Sequence, residues 1–272
     1  MTAGIYICPT PIGNMEDITL RVLRVLKECD CIACEDTRHT ALLLKHFDIK
    51  KPLVSYHKFN EEERARELAQ RALQGQSIAV VSDAGMPGIS DPGFAAVRAA
   101  RLAGVPVTVL PGASAGICAL VLSGIPCGRF TFEGFLPAEG RERRKSMDRI
   151  MSIGCTAVLY EAPHRLERTL RELAQRDGER EIAVCREISK LHEECVVIRL
   201  KDYPAFLKEH PPRGEYVLVL NKGEDKEPEG SLEEQLERLL AAGMPRKEAV
   251  KQVAKANGVS KNEVYMLTVP QE

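Results

Sequence analysis

The sequence lacks any long apolar run. Of its 272 residues, 44% are hydrophobic and 28% are charged, yet no stretch approaches the roughly 18 to 20 apolar residues that a membrane-spanning helix requires. The N-terminus also lacks the basic, apolar and small-residue order of a secretory signal peptide. These absences predict a soluble, cytoplasmic protein with no membrane partner, and the chain is long enough for two ordinary domains or for one domain and a small appendage.

An excess of one charge and a disulfide framework are lacking as well. The formal net charge is −1, so a polyanion would have to be bound by a local basic patch. The cysteines number nine and are dispersed, unlike those of a small secreted domain. Cys31 and Cys34 have CxxC spacing, but no second pair follows. The sequence therefore predicts reduced core cysteines and no metal site.

Short apolar runs alternate with helical patterns through the first half of the chain. We expect strands near residues 5–8, 31–34, 52–55, 77–82 and 105–110, and helices near 17–28, 37–47, 60–74 and 93–103. This alternation is typical of βα units and a largely parallel sheet. Asn60, followed three residues later by Glu63, predicts a capping pair for the third helix.

The second half has a different texture, because several of its strands follow one another without a helix. They are expected near residues 130–135, 155–160, 181–187, 194–200 and 215–220, which favours a mixed sheet with hairpins. We therefore predict an α/β protein with two α/β domains, a linker and a C-terminal helical segment with helix-turn-helix spacing. Their bounds are 1–120, 121–220, 221–230 and 231–272. The last segment is equally compatible with a small helical bundle that binds no nucleic acid, because its charges balance.

Three loops lie at predicted carboxyl ends of strands, where open α/β sheets bind ligands. They comprise residues 8–14, 82–93 and 111–115. The second has three Gly, two Pro and two Asp in twelve residues, a composition that lets a ligand approach the backbone closely. Neither GxGxxG nor GxxxxGK[ST] is present, so the loops indicate a ligand site other than the common dinucleotide or nucleoside-triphosphate loops.

Other strand ends carry charged and aromatic groups. EDTRHT follows the second strand and YEAPHR follows a strand of the second half, although their carboxylates could simply favour helix N-termini. SYHKFN mixes aromatic and basic groups that can stack on bases and hold phosphates. Residues 141–149 carry five positive and two negative charges, which indicates either an RNA contact or a solvated helix face.

The order PTPIGN, EDTRHT, SYHKFN, SDAGMPGISDPG, PGASA and YEAPHR resembles the ribosomal RNA small subunit methyltransferase I family from residue 5 to about residue 220. Tetrapyrrole methylases and diphthine synthase are more distantly similar. The resemblance implies a two-domain, tetrapyrrole methylase-like fold, usually a homodimer, that binds S-adenosyl-L-methionine in an inter-domain cleft and needs no metal. The implied reaction is methylation of a cytidine ribose 2′-oxygen in the decoding region of 16S rRNA, with the assembled small ribosomal subunit as the expected partner.

The resemblance also assigns residues to the cofactor. These are Pro11, Ile12, Asp83, Gly85, Met86, Ser114, Ala115, Tyr160 and Glu161. Since a ribose hydroxyl must lose its proton, a carboxylate or imidazole is expected as general base. The candidates are Glu35, Asp36, His39 and His164, and the sequence does not rank them.

The expected RNA contacts are aromatic, imidazole and basic side chains. They are Arg38, Tyr56, His57, Lys58, Arg141, Arg143, Arg144, Lys145 and Arg165. Two alternatives stay open: a methyltransferase of the same superfamily acting on a tetrapyrrole or a modified protein residue, and a non-catalytic ligand-sensing helix-turn-helix protein. Ser82-Asp83-Ala84 replaces the Gly-Asp-Pro of corrin-forming relatives, which weakens the tetrapyrrole alternative.

Overall fold

The computed structural model describes residues 1–223 and 230–267. The chain divides into two compact units, Met1–Lys222 and Gly223–Glu272. Most of the predicted linker, residues 224–229, lies outside the described residues. No helix in the described part of the chain is long and apolar enough to cross a membrane.

The first sheet is parallel throughout and has the strand order β3-β2-β4-β1-β5. Its strands are β1 Gly4–Ile7, β2 Cys31–Cys34, β3 Leu53–Ser55, β4 Ser77–Val80 and β5 Val107–Val109. β2 and β4 are buried along their whole length, as expected for parallel strands covered on both faces. The predicted parallel sheet is confirmed.

Four helices cover the two faces of this sheet. They are α1 Leu20–Glu28, α2 Thr37–His46, α3 Glu61–Leu73 and α4 Phe94–Leu102. Val22 and Leu43 belong to the core on the α1 and α2 side, whereas Leu68 and Ala96 belong to the core on the α3 and α4 side. With both faces covered, the carboxyl ends of the strands are where the loops can form a ligand site.

The turn between β3 and α3 is closed by Asn60. Its side-chain oxygen accepts a hydrogen bond from the His57 backbone N–H at 2.8 Å, and its amide donates to the Ser55 carbonyl at 3.3 Å. Asn60 makes no side-chain capping bond to α3. The predicted capping pair with Glu63 is therefore wrong, because the amide group is used to hold the preceding turn.

The second sheet is mixed and has the order β6-β7-β10-β8-β9. Its strands are β6 Phe130–Phe135, β7 Thr156–Glu161, β8 Glu181–Arg186, β9 Glu194–Arg199 and β10 Tyr216–Leu220. β6 and β7 pair in parallel, and the other pairings are antiparallel. The mixed sheet predicted for the second half is confirmed.

This sheet also has helices on both faces. α5 Ala115–Leu122 lies on one face, and α6 Gly140–Ser152, α7 Pro163–Ala174 and α8 Tyr203–Glu209 lie on the other. Both sheets belong to the unit Met1–Lys222. The domain boundary at residue 120 therefore stays a prediction.

The C-terminal unit contains three short helices within its described residues, α9 Leu232–Ala241, α10 Arg246–Asn257 and α11 Lys261–Met266. Pro245 precedes α10, and Gly258 ends it at a φ of 67°, a conformation that glycine adopts readily. The Ser260 side chain caps α11. Leu236 of α9 is buried in the core of this unit.

Candidate cofactor cavity and its acidic rim

The loops that follow β1 and β4 are joined by a short bridge. The backbone N–H of Thr10 donates to the Gly85 carbonyl at 3.0 Å, and the Gly85 N–H donates back at 3.1 Å. The Thr10 hydroxyl also donates to the Ser82 carbonyl at 3.0 Å. Two of the three predicted ligand loops therefore form one surface.

Gly85 is required at this bridge for two reasons. Its φ is +79°, and a Cβ placed there would lie 3.3 Å from Cγ2 of Ile12. A larger side chain would meet both backbone strain and the neighbouring loop. The loop after β5 also packs closely, since a Cβ on Gly112 would lie 2.6 Å from Cβ of Pro9.

These loops form one side of a cavity of about 380 Å³. The size suits a small-molecule site. Seven of the nine expected cofactor residues line it: Ile12, Gly85, Met86, Ser114, Ala115, Tyr160 and Glu161. Pro11 and Asp83 are not among the lining residues, and the Asp83 carboxylate instead accepts a hydrogen bond from the Asp36 N–H at 3.2 Å.

Tyr160 enters the cavity from the second sheet and is held by its neighbours. Its hydroxyl accepts a hydrogen bond from the Gly116 N–H at 3.2 Å. Phe132 and Phe135 contact its ring edge-on, with centroids at 5.1 and 5.6 Å. Burial raises the pKa of Tyr160, so this phenol acts as a neutral, fixed wall of the cavity.

Glu161 also lines the cavity but is almost fully buried. Its carboxylate accepts hydrogen bonds from the Thr169 hydroxyl at 2.5 Å and the Ala162 N–H at 2.9 Å, and pairs with Nε of Arg165 at 3.2 Å. Arg165 also donates to the Leu136 carbonyl at 2.6 Å. The guanidinium is thus largely engaged inside the fold, and the expectation that Arg165 holds RNA phosphate stays a prediction.

Several residues of the cavity were not predicted from the sequence, and Asp91 is the most informative of them. Asp91 lines the cavity, and burial, followed by the charges of Glu35 and Asp83, raises its pKa to about 6. Asp91 lies in the same Gly- and Pro-rich loop as Asp83. The presence of a second carboxylate in that loop could have marked it as a site residue. Ile188 and Val217 also line the cavity. The sequence could not single them out, because apolar residues in a strand or just after it are ordinarily part of the core.

Glu35 and Asp83 follow β2 and β4 and lie close enough to Asp91 to raise its pKa. We call these three carboxylates the acidic rim, and of the three only Asp91 lines the cavity. Burial and the charge of Asp83 raise the pKa of Glu35, while nearby His57 lowers it. Among the described residues, no group of three His, Cys, Asp or Glu side chains is arranged to hold a metal ion. The rim is therefore a set of mutually repelling carboxylates that a cation would stabilise.

Comparisons with known proteins fit this geometry. The family model for tetrapyrrole (corrin/porphyrin) methylases matches residues 4–204, and the model described as the RsmI C-terminal HTH domain matches residues 227–268. A ribosomal RNA small subunit methyltransferase I from Halalkalibacterium halodurans is 43% identical over 268 residues, covering 96% of this chain and 93% of its own length. The chain belongs to the ribosomal RNA small subunit methyltransferase I family of tetrapyrrole methylases.

Solved structures confirm the fold of this family. Diphthine synthase superposes with a TM-score of 0.63 at 17% identity, over 80% of this chain and 89% of that one. The uroporphyrin-III C-methyl transferase from Thermus thermophilus, complexed with S-adenyl homocysteine, gives a TM-score of 0.56 at 22% identity, over 80% and 97%. At these identities the likeness establishes the tetrapyrrole methylase fold alone.

Within this family fold, the four candidate bases are placed in different settings. Hydrogen bonds from the side chain and backbone of Arg38 lower the pKa of Asp36 to about 2, which makes it a weak base. His39 and His164 are exposed near the starts of α2 and α7. Glu35 is half-buried, and burial with the charge of Asp83 raises its pKa, which makes it a stronger proton acceptor than Asp36.

Tyr56 was expected to contact RNA but is 0% exposed. Its hydroxyl donates to Glu61 at 3.1 Å and accepts from the Ala96 N–H at 3.1 Å. Glu61 in turn accepts from the Gly93 N–H at 2.9 Å. The expectation is corrected: Tyr56 braces the loop that carries Asp91, because its strand-end position points into the core.

Arg143 was also expected to contact RNA but is 2% exposed. Its guanidinium pairs with Glu172 at 2.7 Å, donates to the Thr169 hydroxyl at 2.7 Å and donates to the Pro137 carbonyl at 3.0 Å. This expectation is corrected because Arg143 lies on the buried face of α6.

The remaining expected RNA contacts are accessible to different degrees. Arg141, Arg144 and Lys145 are exposed on α6, and Lys145 pairs with Glu142. Arg38 and Lys58 are exposed, and His57 is half-buried. These six residues remain predictions.

Proposed function

We propose that this protein is an S-adenosylmethionine-dependent methyltransferase that methylates the ribose 2′-oxygen of a cytidine in the decoding region of 16S rRNA. The observation that carries the proposal is the cavity formed by the family's own loop motifs, with an acidic rim at its side. The 43% identity to a relative named as a ribosomal RNA small subunit methyltransferase supports rRNA as the substrate class.

The cavity residues fit a ligand that is cationic and partly apolar. Met86, Ile89 and Val217 provide apolar wall for an adenine ring, and Asp91 provides a carboxylate. Because Asp91 is repelled by Glu35 and Asp83, a bound cation would favour its ionised form. S-adenosylmethionine, when bound, supplies a methyl group activated by a positively charged sulfur.

The protein's part in the reaction is to position the acceptor and remove its proton. Glu35 is the proposed general base that takes the proton of the ribose hydroxyl, a role typically worth about 10²- to 10⁴-fold in rate. The nearby His57 lowers the pKa of Glu35 and so favours its ionised form, which is the form that accepts a proton. The fixed ring of Tyr160 and the apolar wall shape the cavity, and accurate positioning of donor and acceptor supplies much of the remaining acceleration.

The test is methyl transfer from labelled S-adenosylmethionine to small ribosomal subunits from a strain that lacks this protein. Mass spectrometry of the digested rRNA should find one 2′-O-methylcytidine per subunit, located in the decoding region. Glu35→Gln should lower the rate while cofactor affinity is retained. Methylation of a base, or of a tetrapyrrole but no rRNA, would refute the proposal, and deproteinised 16S rRNA in parallel tells whether the assembled subunit is needed.

We also propose that the active form is a homodimer through the outer face of α5. This helix is apolar on all sides, but Ile117, Val121 and Leu122 are exposed, which is unusual for so apolar a helix. The edge strand β6 adds exposed Phe130. Val121→Glu should give a monomer in sedimentation equilibrium, whereas Leu102→Glu on α4, at a similarly exposed position, should not. A Val121→Glu variant that remains dimeric would exclude this face.

A further inference from the structure

We propose that Phe59 is a stacking platform for an RNA base next to the acceptor nucleotide. The inference rests on the proposed function, because it assigns a contact to the same substrate. Tyr56 is buried, so Phe59 is the aromatic side chain of the SYHKFN segment that can reach RNA. Phe59 is 96% exposed, so both faces of its ring are accessible.

An exposed apolar side chain is common on protein surfaces, but the turn that carries Phe59 is firmly held. The Asn60 side chain bonds to the backbone of His57 and Ser55, and the Asn60 N–H donates to the His57 carbonyl at 2.9 Å. The rings of His57 and Phe59 meet edge-on, with 6.0 Å between their centroids and an interplanar angle of 69°. A ring presented on a braced turn loses little conformational freedom when a base stacks on it.

The position of Phe59 points to the substrate rather than to the core. The turn follows β3, which pairs with β2, and Glu35 follows β2. The Tyr56 N–H donates to the Cys34 carbonyl at 2.8 Å, and this bond places the start of the turn beside the residue that precedes Glu35.

Two basic side chains near the ring can contact phosphates, while Glu62 and Glu63 in the first turn of α3 are exposed and would face away from or weaken such a contact. Lys58 is adjacent and exposed. Arg38 is exposed at the start of α2, which follows the neighbouring strand β2, although it pairs with Asp36. An aromatic ring flanked by basic side chains is the usual combination for single-stranded RNA, because the ring stacks on bases while the cations contact phosphates.

The first experiment measures KM for small subunits. Phe59→Ala and Phe59→Leu should raise KM about 5- to 100-fold with little change in kcat, while Phe59→Tyr stays near wild type, because base stacking requires a ring. The salt dependence of binding should not change in these variants, whereas Lys58→Ala should lower its slope by about 1. Wild-type KM in both Phe59→Ala and Phe59→Leu would overturn the proposal.

The second experiment separates this inference from the proposed function. The chain contains no tryptophan, so Phe59→Trp introduces a single fluorescent reporter. Saturating single-stranded oligocytidylate should quench its emission, whereas Leu102→Trp, at an exposed position at the end of α4, should be unaffected. Quenching without methyl transfer by wild type would retain the stacking site and refute the proposed function. Unquenched Phe59→Trp at saturation would refute the stacking site alone.

Discussion

The loop from Ser82 to Gly93 and helix α6 are both rich in residue types that indicate ligand contact, but they use them differently. In the loop, Gly85 and Asp91 occupy positions set by close backbone approach and by the cavity. In the helix, neighbouring arginines face opposite environments, since Arg143 is buried and Arg144 is exposed. In a constrained loop, amino-acid composition is therefore enough to locate a site. On a helix, the periodicity decides which side chains are exposed and can contact a ligand.

The largest expected effect is on the loop side of this comparison. Gly85→Val should weaken S-adenosylmethionine binding by at least about 100-fold in calorimetry, because the side chain meets Ile12 across the bridge between the loops. The matched control is Gly104→Val, which has a similar positive φ of +71° but no neighbour within 4 Å. Both should lose about 1 kcal/mol of stability from backbone strain. Equal cofactor affinity in the two variants would mean that the loop contact is unimportant.

The next effect distinguishes two neighbouring arginines of α6, Arg143 and Arg144. Arg143→Ala should lower the free energy of unfolding by about 1–3 kcal/mol, because it leaves buried partners unsatisfied. Arg144→Ala should change it by no more than about 0.5 kcal/mol, but should lower the salt slope of subunit binding by about 1. Urea unfolding and binding titrations measure both. If Arg144→Ala leaves the slope unchanged, this part of α6 is a solvated face.

A smaller effect concerns pH and the cavity carboxylate. Since the pKa of Asp91 is raised to about 6, the group is ionised above that pH and neutral below it. Cofactor affinity should fall about tenfold between pH 7 and pH 5, because a cation favours the ionised form. The sign for stability is opposite: without cofactor, the cost of ionised Asp91 is relieved as the pH falls from 6 towards 4.

Asp91→Asn is the control for this pH dependence. It should bind S-adenosylmethionine more weakly at pH 7 and lose most of the change between pH 7 and pH 5. Glu35 and Asp83 remain in the variant, so any residual slope measures their share. An unaltered slope in Asp91→Asn would assign the titration to one of those two groups instead.

The smallest effect tests the hydrogen bonds by which Tyr56 and Glu61 hold the end of the loop from Ser82 to Gly93. Tyr56→Phe removes the hydroxyl that joins Glu61 to the start of α4 and should cost about 1 kcal/mol of stability. Cofactor affinity should fall a few-fold, because the Asp91 segment is less well held. Tyr203→Phe, in the core around the second sheet, should leave cofactor affinity unchanged. A larger loss of RNA binding than of cofactor binding in Tyr56→Phe would restore Tyr56 as an RNA contact.

The sequence alone determined the order of the elements, the parallel first sheet, the mixed second sheet and the three ligand loops. These follow from local signals, because apolar periodicity and Gly or Pro punctuation act over a few residues. The helix ends of the C-terminal unit have signals of the same local kind, since Pro245 precedes α10, Gly258 ends it and Ser260 caps α11.

Only the tertiary structure decided which side chain of each motif faces the cavity, the core or the solvent. Tyr56 and Phe59 are three residues apart, yet one is fully buried and the other is fully exposed. Asp83 bonds to the backbone of Asp36, while Asp91 lines the cavity. These outcomes depend on contacts between segments distant in the chain, such as Tyr56 with Ala96, and no local pattern of residue types encodes such contacts.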